Sequence, residues 1–212
     1  MEAEFWEDRW KSNKIAFHEG IPNALMQKHI SQFGLRQQSR IFVPLCGKAH
    51  DLNWLTDQGH VVIGAELSEA AVREVFDRTG IAYEVERSAG HTRYHNGRLD
   101  IFVGDFFDLT AAQIGSIDAI YDRAALVALP TGMRDTYAER LVQLTSRAPQ
   151  FLITYDYDQS QTSGPPFSVS EAEVTRLYDG IYKIEALDSM AISGPLAARC
   201  SGLEIAWRLS PL

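Results

Sequence analysis

The residues best suited to chemistry stand at the ends of apolar runs. The stretch IFVPLCG, residues 41–47, carries branched and aromatic residues into a proline and then a single glycine, the pattern of a buried strand ending in a sharp turn. Glu66 closes the next such run, nineteen residues beyond Gly47. In open α/β sheets an acid there grips the ribose hydroxyls of a nucleoside ligand. A dinucleotide site would need G-x-G-x-x-G, and a P-loop G-x-x-x-x-G-K-[ST]. Here Gly47 stands alone, and Gly47-Lys48 is followed by alanine with no upstream glycine at the required spacing. Phosphate binding is therefore poorly supported, and the pair Gly47 and Glu66 points to a nucleoside without phosphates. S-adenosylmethionine has that chemistry: a ribose, no phosphate, and a sulfonium that favours acidic surroundings. Taken alone, the two residues are equally compatible with a strand stop and a solvent-facing acid.

Further residues gather at the same end of the expected sheet. Gly104-Asp105-Phe106-Phe107-Asp108 follows the third strand and offers an acid and aromatics against which an adenine could stack or hydrogen-bond. Tyr121-Asp122-Arg123-Ala124 follows the fourth, with Arg123 either paired to Asp122 or Asp105 or free to act on a reacting group. Trp6 and Trp10 are four apart and share one face of a helix, with Phe17-His18 after a short polar break. They either dock an N-terminal helix on the sheet or form a lid that excludes water and offers cation–π contacts to a sulfonium. Gly164-Pro165-Pro166-Phe167 is placed to close the opposite side. No metal is expected. Asp156 and Asp158 could supply oxygen ligands, but a pair of aspartates two apart in a loop is ordinarily solvated, and His91 and His95, though at helical spacing, precede the Asn96-Gly97 turn of a hairpin and lack a third ligand. Cys46 has no assignable His/Asp partners and reads as a small packed residue. The N-P-P-Y or D-P-P-Y sequence of enzymes that methylate amino groups of DNA or protein is absent after the fourth strand.

The elements that must position these residues alternate in type. Strand-like runs fall at Arg40–Val43, Val61–Ala65, Leu99–Val103, Ile117–Tyr121 and Phe151–Tyr155, apolar on both faces as in parallel strands covered by helices. Helical patterns lie near 48–58, 68–79 and 132–147. Ser68 is a candidate N-cap, Gly80 a stop, and Ser170 with Glu173 has capping-box spacing. The segment His95-Asn96-Gly97-Arg98 reads as a hairpin turn. Two last strands, Ile181–Leu187 and Leu203–Leu209, are expected to be antiparallel with no helix between them. The fold class is thus an open α/β sheet with an antiparallel end. A chain of 212 residues, 45% of them hydrophobic, suits one domain. A net charge of -8 disfavours nucleic acid. Two cysteines without a C-x-x-C pair, and no signal-peptide or membrane-spanning run, lead to the expectation of a cytoplasmic protein, and with no long apolar surface helix to announce an interface a monomer is expected.

Five blocks in order, FWEDRW (5–10), FVPLCGKAHDLNWL (42–55), GAELSE (64–69), DRAALVALP (122–130) and GPPF (164–167), resemble the bacterial thiopurine S-methyltransferases, a branch of the class I methyltransferases. The resemblance spans nearly the whole chain. It implies a three-layer Rossmann-like domain over 1–212, with a seven-stranded, mostly parallel sheet, a C-terminal antiparallel pair and an N-terminal helical lid at about 1–33. It implies S-adenosyl-L-methionine held by Trp10, Leu45, Glu66 and Arg123, with Trp6, Phe17, Gly47, Asp105 and Phe106 around it. Phe17, His18, Pro166 and Arg199 would meet the substrate, although the tail near Arg199 matches the family least clearly. The implied reaction moves a methyl group by direct displacement to the sulfur of an aromatic or heterocyclic thiol such as a thiopurine, and extends to selenium or tellurium compounds in detoxification. Arg123 is the candidate for stabilising the thiolate. The alternatives are a metal-dependent small-molecule O-methyltransferase and a non-enzymatic adenosyl-ligand sensor.

Overall fold

Successive residues of the first strand, β1 (Arg40–Val43), divide between two cores: Ile41 and Val43 enter one, Phe42 the other. In β2 (Val61–Glu66) the same alternation sends Val62 to the first core and Ile63 and Ala65 to the second. Strand side chains point alternately to opposite faces, so a strand apolar at every residue demands cover on both sides. In this computed structural model, which describes Trp6 and residues 20–88 and 90–212, helices supply that cover. α1 (Ala24–His29), α2 (His50–Asp57) and α3 (Glu69–Thr79) pack on the first face. The short α4 (Ala111–Ile114), α5 (Thr131–Leu144) and α6 (Glu171–Tyr178) pack on the second.

Ser68 accepts a hydrogen bond from the Ala71 amide and starts α3; Gly80, at φ 65°, ends it in the left-handed conformation that suits glycine. Ser170 likewise accepts from the Glu173 amide at the start of α6. α5 stops at Leu144, short of the expected 147, because Ser146 and Arg147 turn left-handed at φ 53° and 61°.

The remaining strands are β3 (Glu84–Arg87), β4 (Thr92–His95), β5 (Leu99–Val103), β6 (Ala119–Arg123), β7 (Gln150–Tyr157), β8 (Tyr182–Ala191) and β9 (Gly202–Pro211). They form one mixed sheet of nine strands in the order β3-β4-β5-β2-β1-β6-β7-β9-β8. The five from β5 to β7 run parallel, while β4 opposes β5, β3 opposes β4, β9 opposes β7 and β8 opposes β9.

The expected count of seven is corrected by β3 and β4 at one edge. β3 reads EVER and is exposed at every residue, so it carries no apolar signal; in β4 only Tyr94 is buried. Asn96 Oδ1 accepts from the amides of Arg98 and Leu99, and Gly97 sits at φ 85°, which makes the expected turn between β4 and β5. The fourth parallel strand begins two residues later than the sequence suggested and carries Arg123 as its last residue. A single turn, α7 (Gly194–Ala197), interrupts β8 and β9 where no helix was expected. Of the expected lid over about 1–33, residues 24–33 are docked: Leu25, Met26 and Ile30 are buried in the first core. Trp10, Phe17 and His18 lie outside the described residues.

Candidate active site

From β1 the chain proceeds outward through β2 to β5 on one side and through β6 to β7 on the other. Loops leaving the carboxyl ends of β1 and β6 therefore part, and the crevice between them is where open α/β sheets bind ligands. A cavity occupies that place, lined by Leu45–Ala49, Glu66, Gly104–Phe107, Arg123–Ala124, Val127–Leu129, and Pro165–Pro166.

Glu66 organises one half of it. Its Oε2 accepts from the Gly47 amide at 2.8 Å, its Oε1 from the Ser68 amide at 2.8 Å, and its main-chain carbonyl from the Gly104 amide at 3.0 Å. One residue thus joins the tips of three strands. Burial pushes the carboxyl pKa up, and the amides of Ser68, Gly47 and Leu67 oppose that rise by favouring the carboxylate. Gly104, at φ 152°, leaves room that no other residue would: a Cβ there would lie 2.6 Å from His91 Cδ2 and 2.7 Å from the Gly90 carbonyl oxygen. His91 sits under this turn with Nε2 3.0 Å from the Asp105 carbonyl oxygen.

Across the crevice the other half is built by side chains together with loop main chain. Arg123 is 8% exposed, and its Nη1 lies 3.9 Å from Asp51 Oδ2. The expected partner Asp122 points to the opposite face, where its oxygens accept from Tyr137 Oη at 2.7 Å and the Leu126 amide at 3.1 Å. Asp105, the other expected partner, instead accepts from the Phe107 amide. Leu45 and Ala124 adopt the left-handed conformation at φ 44° and 66°, a costly one for residues with a Cβ, at the ends of β1 and β6. The Phe167 amide donates to the Val127 carbonyl at 2.6 Å and Tyr157 Oη to the Pro166 carbonyl at 2.6 Å, which draws residues 164–167 against the cavity wall. Cys46 also faces the cavity, but burial first and Glu66 second push its thiol pKa well up. It stays protonated and so is a poor nucleophile.

The family model for thiopurine S-methyltransferase matches residues 1–205. The chain belongs to the thiopurine S-methyltransferase family. Proteins of that name from Xanthobacter autotrophicus and Teredinibacter turnerae are 46% and 45% identical to it over 210 residues each, covering 99% of this chain and 99% and 98% of theirs. Membership makes this thiopurine S-methyltransferase relative an S-adenosylmethionine-dependent methyltransferase, with S-adenosylmethionine as methyl donor. Among solved structures, a methyltransferase from Anabaena variabilis superposes with a TM-score of 0.66 at 14% identity, covering 99% of this chain and 95% of that one. A Burkholderia thailandensis 1,6-didemethyltoxoflavin-N1-methyltransferase gives 0.64 at 16% identity, covering 98% and 87%. These likenesses establish the α/β methyltransferase-like fold.

For this family member the cavity brings together Trp6, Leu45, Gly47, Glu66, Asp105, Phe106, Arg123, Pro166 and Arg199. Sequence reasoning singled out Phe106 as a cofactor contact, and both Phe106 and its neighbour Phe107 line the cavity. Phe106 is 2% exposed, with its ring packed against those of Phe42 and Tyr137, and Phe107 is the more open of the two. Sequence reasoning missed Lys48, Met133, Tyr155 and Leu196, which line the same cavity. Lys48 directly follows Gly47 and was legible; the others stand on elements whose approach only the fold reveals. Among the described residues no three His, Cys, Asp or Glu side chains gather as a metal site, and Asp158 is engaged with the Ser160 amide.

Proposed function

We propose that the protein methylates the sulfur of an aromatic or heterocyclic thiol, and that one end of the cavity holds the methyl donor while the other presents the acceptor. The observation that carries this reading is the union of Glu66 and Arg123 in one crevice with apolar walls between them. Glu66, Gly47 and the Gly104–Asp105 turn fit an adenosyl group: a buried carboxylate braced by amides accepts from ribose hydroxyls, and no glycine-rich phosphate cradle is present. Bound there, S-adenosylmethionine supplies an electrophilic methyl group on a sulfonium.

What remains for the chain is to bring the acceptor into line and keep it anionic. Free thiols titrate near about 8.5, and aromatic ones lower, so no strong base is needed. Arg123, buried and charged, lowers the cost of the thiolate inside the cavity. Arg199, exposed at the turn after α7, adds positive charge at the entrance. Val127, Leu129, Met133, Pro165 and Pro166 provide apolar walls for a flat ring and exclude water. A selenolate would meet the same requirements.

The test is transfer of a labelled methyl group from S-adenosylmethionine to matched aromatic thiols and catechols, with and without a divalent-metal chelator. The proposal expects S-methylated product, indifferent to chelation. Product from catechols alone, abolished by the chelator, would favour the O-methyltransferase reading.

A further inference from the structure

Behind Arg123, outside the cavity wall, lies a buried polar cluster that the reaction as described does not use. Asp51, in the first turn of α2, is 1% exposed. Its Oδ1 accepts from the Asn23 amide at 2.7 Å and its Oδ2 from Tyr121 Oη at 3.0 Å, and the same Oδ2 lies 3.9 Å from Arg123 Nη1. Asn23 is itself fully committed: its Nδ2 donates to Glu204 Oε1 at 2.8 Å and its Oδ1 caps α1 by accepting from the Met26 amide at 3.0 Å. The start of α1, the start of α2 and β6 thus meet at the Asp51 carboxylate, and β9 joins the cluster through the bond from Asn23 to the second buried carboxylate, Glu204.

A carboxylate this deeply buried is stable only if paired and hydrogen-bonded, and a cluster built only to hold the fold together could have been apolar. Its geometry has another consequence. Arg side chains have several rotatable bonds, and a guanidinium stabilises an anion best when its direction is fixed beforehand. Asn23 and Tyr121 hold Asp51 through separate oxygens, and Asp51, which does not line the cavity, lies beside the guanidinium that does.

We infer that Asp51 is a positioning residue for the methyl transfer: held by Asn23 and Tyr121, it orients Arg123 toward the acceptor sulfur. This inference rests on the proposed thiolate role of Arg123. It differs from mere charge balance, because removing a charge that only offsets Arg123 would strengthen the arginine's field on the thiolate and raise the rate at low pH.

The experiment is a double-mutant cycle on kcat for an aromatic thiol with Asp51→Asn and Arg123→Ala, with the dissociation constant of S-adenosylhomocysteine measured for each protein. Asp51→Asn is expected to lower kcat about tenfold with cofactor binding changed less than about twofold, and to lower it no further in the Arg123→Ala background. Asp51→Glu, which keeps the charge, should recover part of the loss. Tyr121→Phe, which removes one contact to Asp51 and no charge, should give a smaller loss of the same non-additive kind, and serves where Asp51→Asn does not fold. Equal losses in both backgrounds, or an unchanged or raised kcat, would overturn the inference while leaving thiol methylation intact. A wild-type enzyme that methylates no thiol would instead overturn the proposed function, and this inference with it.

Discussion

The two halves of the cavity are held in place by different means. Around Glu66 the contacts run to main-chain amides, those of Gly47, Ser68 and Gly104, on the tips of adjacent parallel strands. Around Arg123 the contacts are between side chains or reach across loops: Asp51 from α2, Asp122 to Tyr137 beneath, and Phe167 to Val127 at the wall. Main-chain contacts specify a shape with little regard to side-chain identity, whereas side-chain contacts change with each substitution. Under the proposed function, the first half would take the invariant cofactor and the second the variable acceptor.

That contrast is broken most severely at Glu66. Replacing it with alanine strands two amides and removes the ribose acceptor, so S-adenosylhomocysteine should bind about a hundredfold more weakly, about 2.7 kcal/mol by calorimetry. An unchanged affinity would detach the acid from the cofactor.

Beneath Arg123, on the opposite face of the sheet, Asp122 is a buried acid, and there the expected effect is on stability. Burial raises the Asp122 pKa to about 6, against the hydrogen bonds from Tyr137 and the amides of Leu126 and Ala125. A folded-state pKa above the unfolded one means that the native state binds more protons between the two values, so this group favours folding less as pH rises from about 4 to about 6. Asp122→Asn, which lacks this titration, should therefore gain on the wild type by on the order of 2 kcal/mol between pH 4 and pH 7 in chemical denaturation. A constant difference across that range would contradict the assignment.

The smallest effect concerns the strand-end loop. Ala124→Gly relieves a left-handed alanine at φ 66° and should raise stability by about 0.5 kcal/mol, roughly 1–2 °C in Tm, since the added chain freedom offsets part of the gain.

The same contrast explains what could be read in advance. Glu66 and Gly47 were legible because one ends a strand and the other stands in the turn after one, and strand ends show in sequence as apolar runs that stop. The antiparallel pair at Glu84–Arg87 and Thr92–His95 was less so, since an exposed edge strand has no hydrophobic alternation to betray it. The block Gly104–Asp108 shows two adjacent aromatics, and how Phe106 and Phe107 share the cavity wall depends on the turn begun by Asp105. Arg123 was found, but its setting was not. Adjacent Asp122 belongs to the other face of the sheet, and Asp51 reaches Arg123 only through the packing of α2 on β6.

The most direct measurement compares methyl transfer by the wild type and Arg123→Ala across aromatic thiols of graded acidity. If Arg123 stabilises the thiolate, the loss should grow as the thiol becomes less acidic, exceeding about tenfold at the weakest acids. An equal, small loss across the whole series would contradict that role and leave Arg123 as part of the cofactor's surroundings.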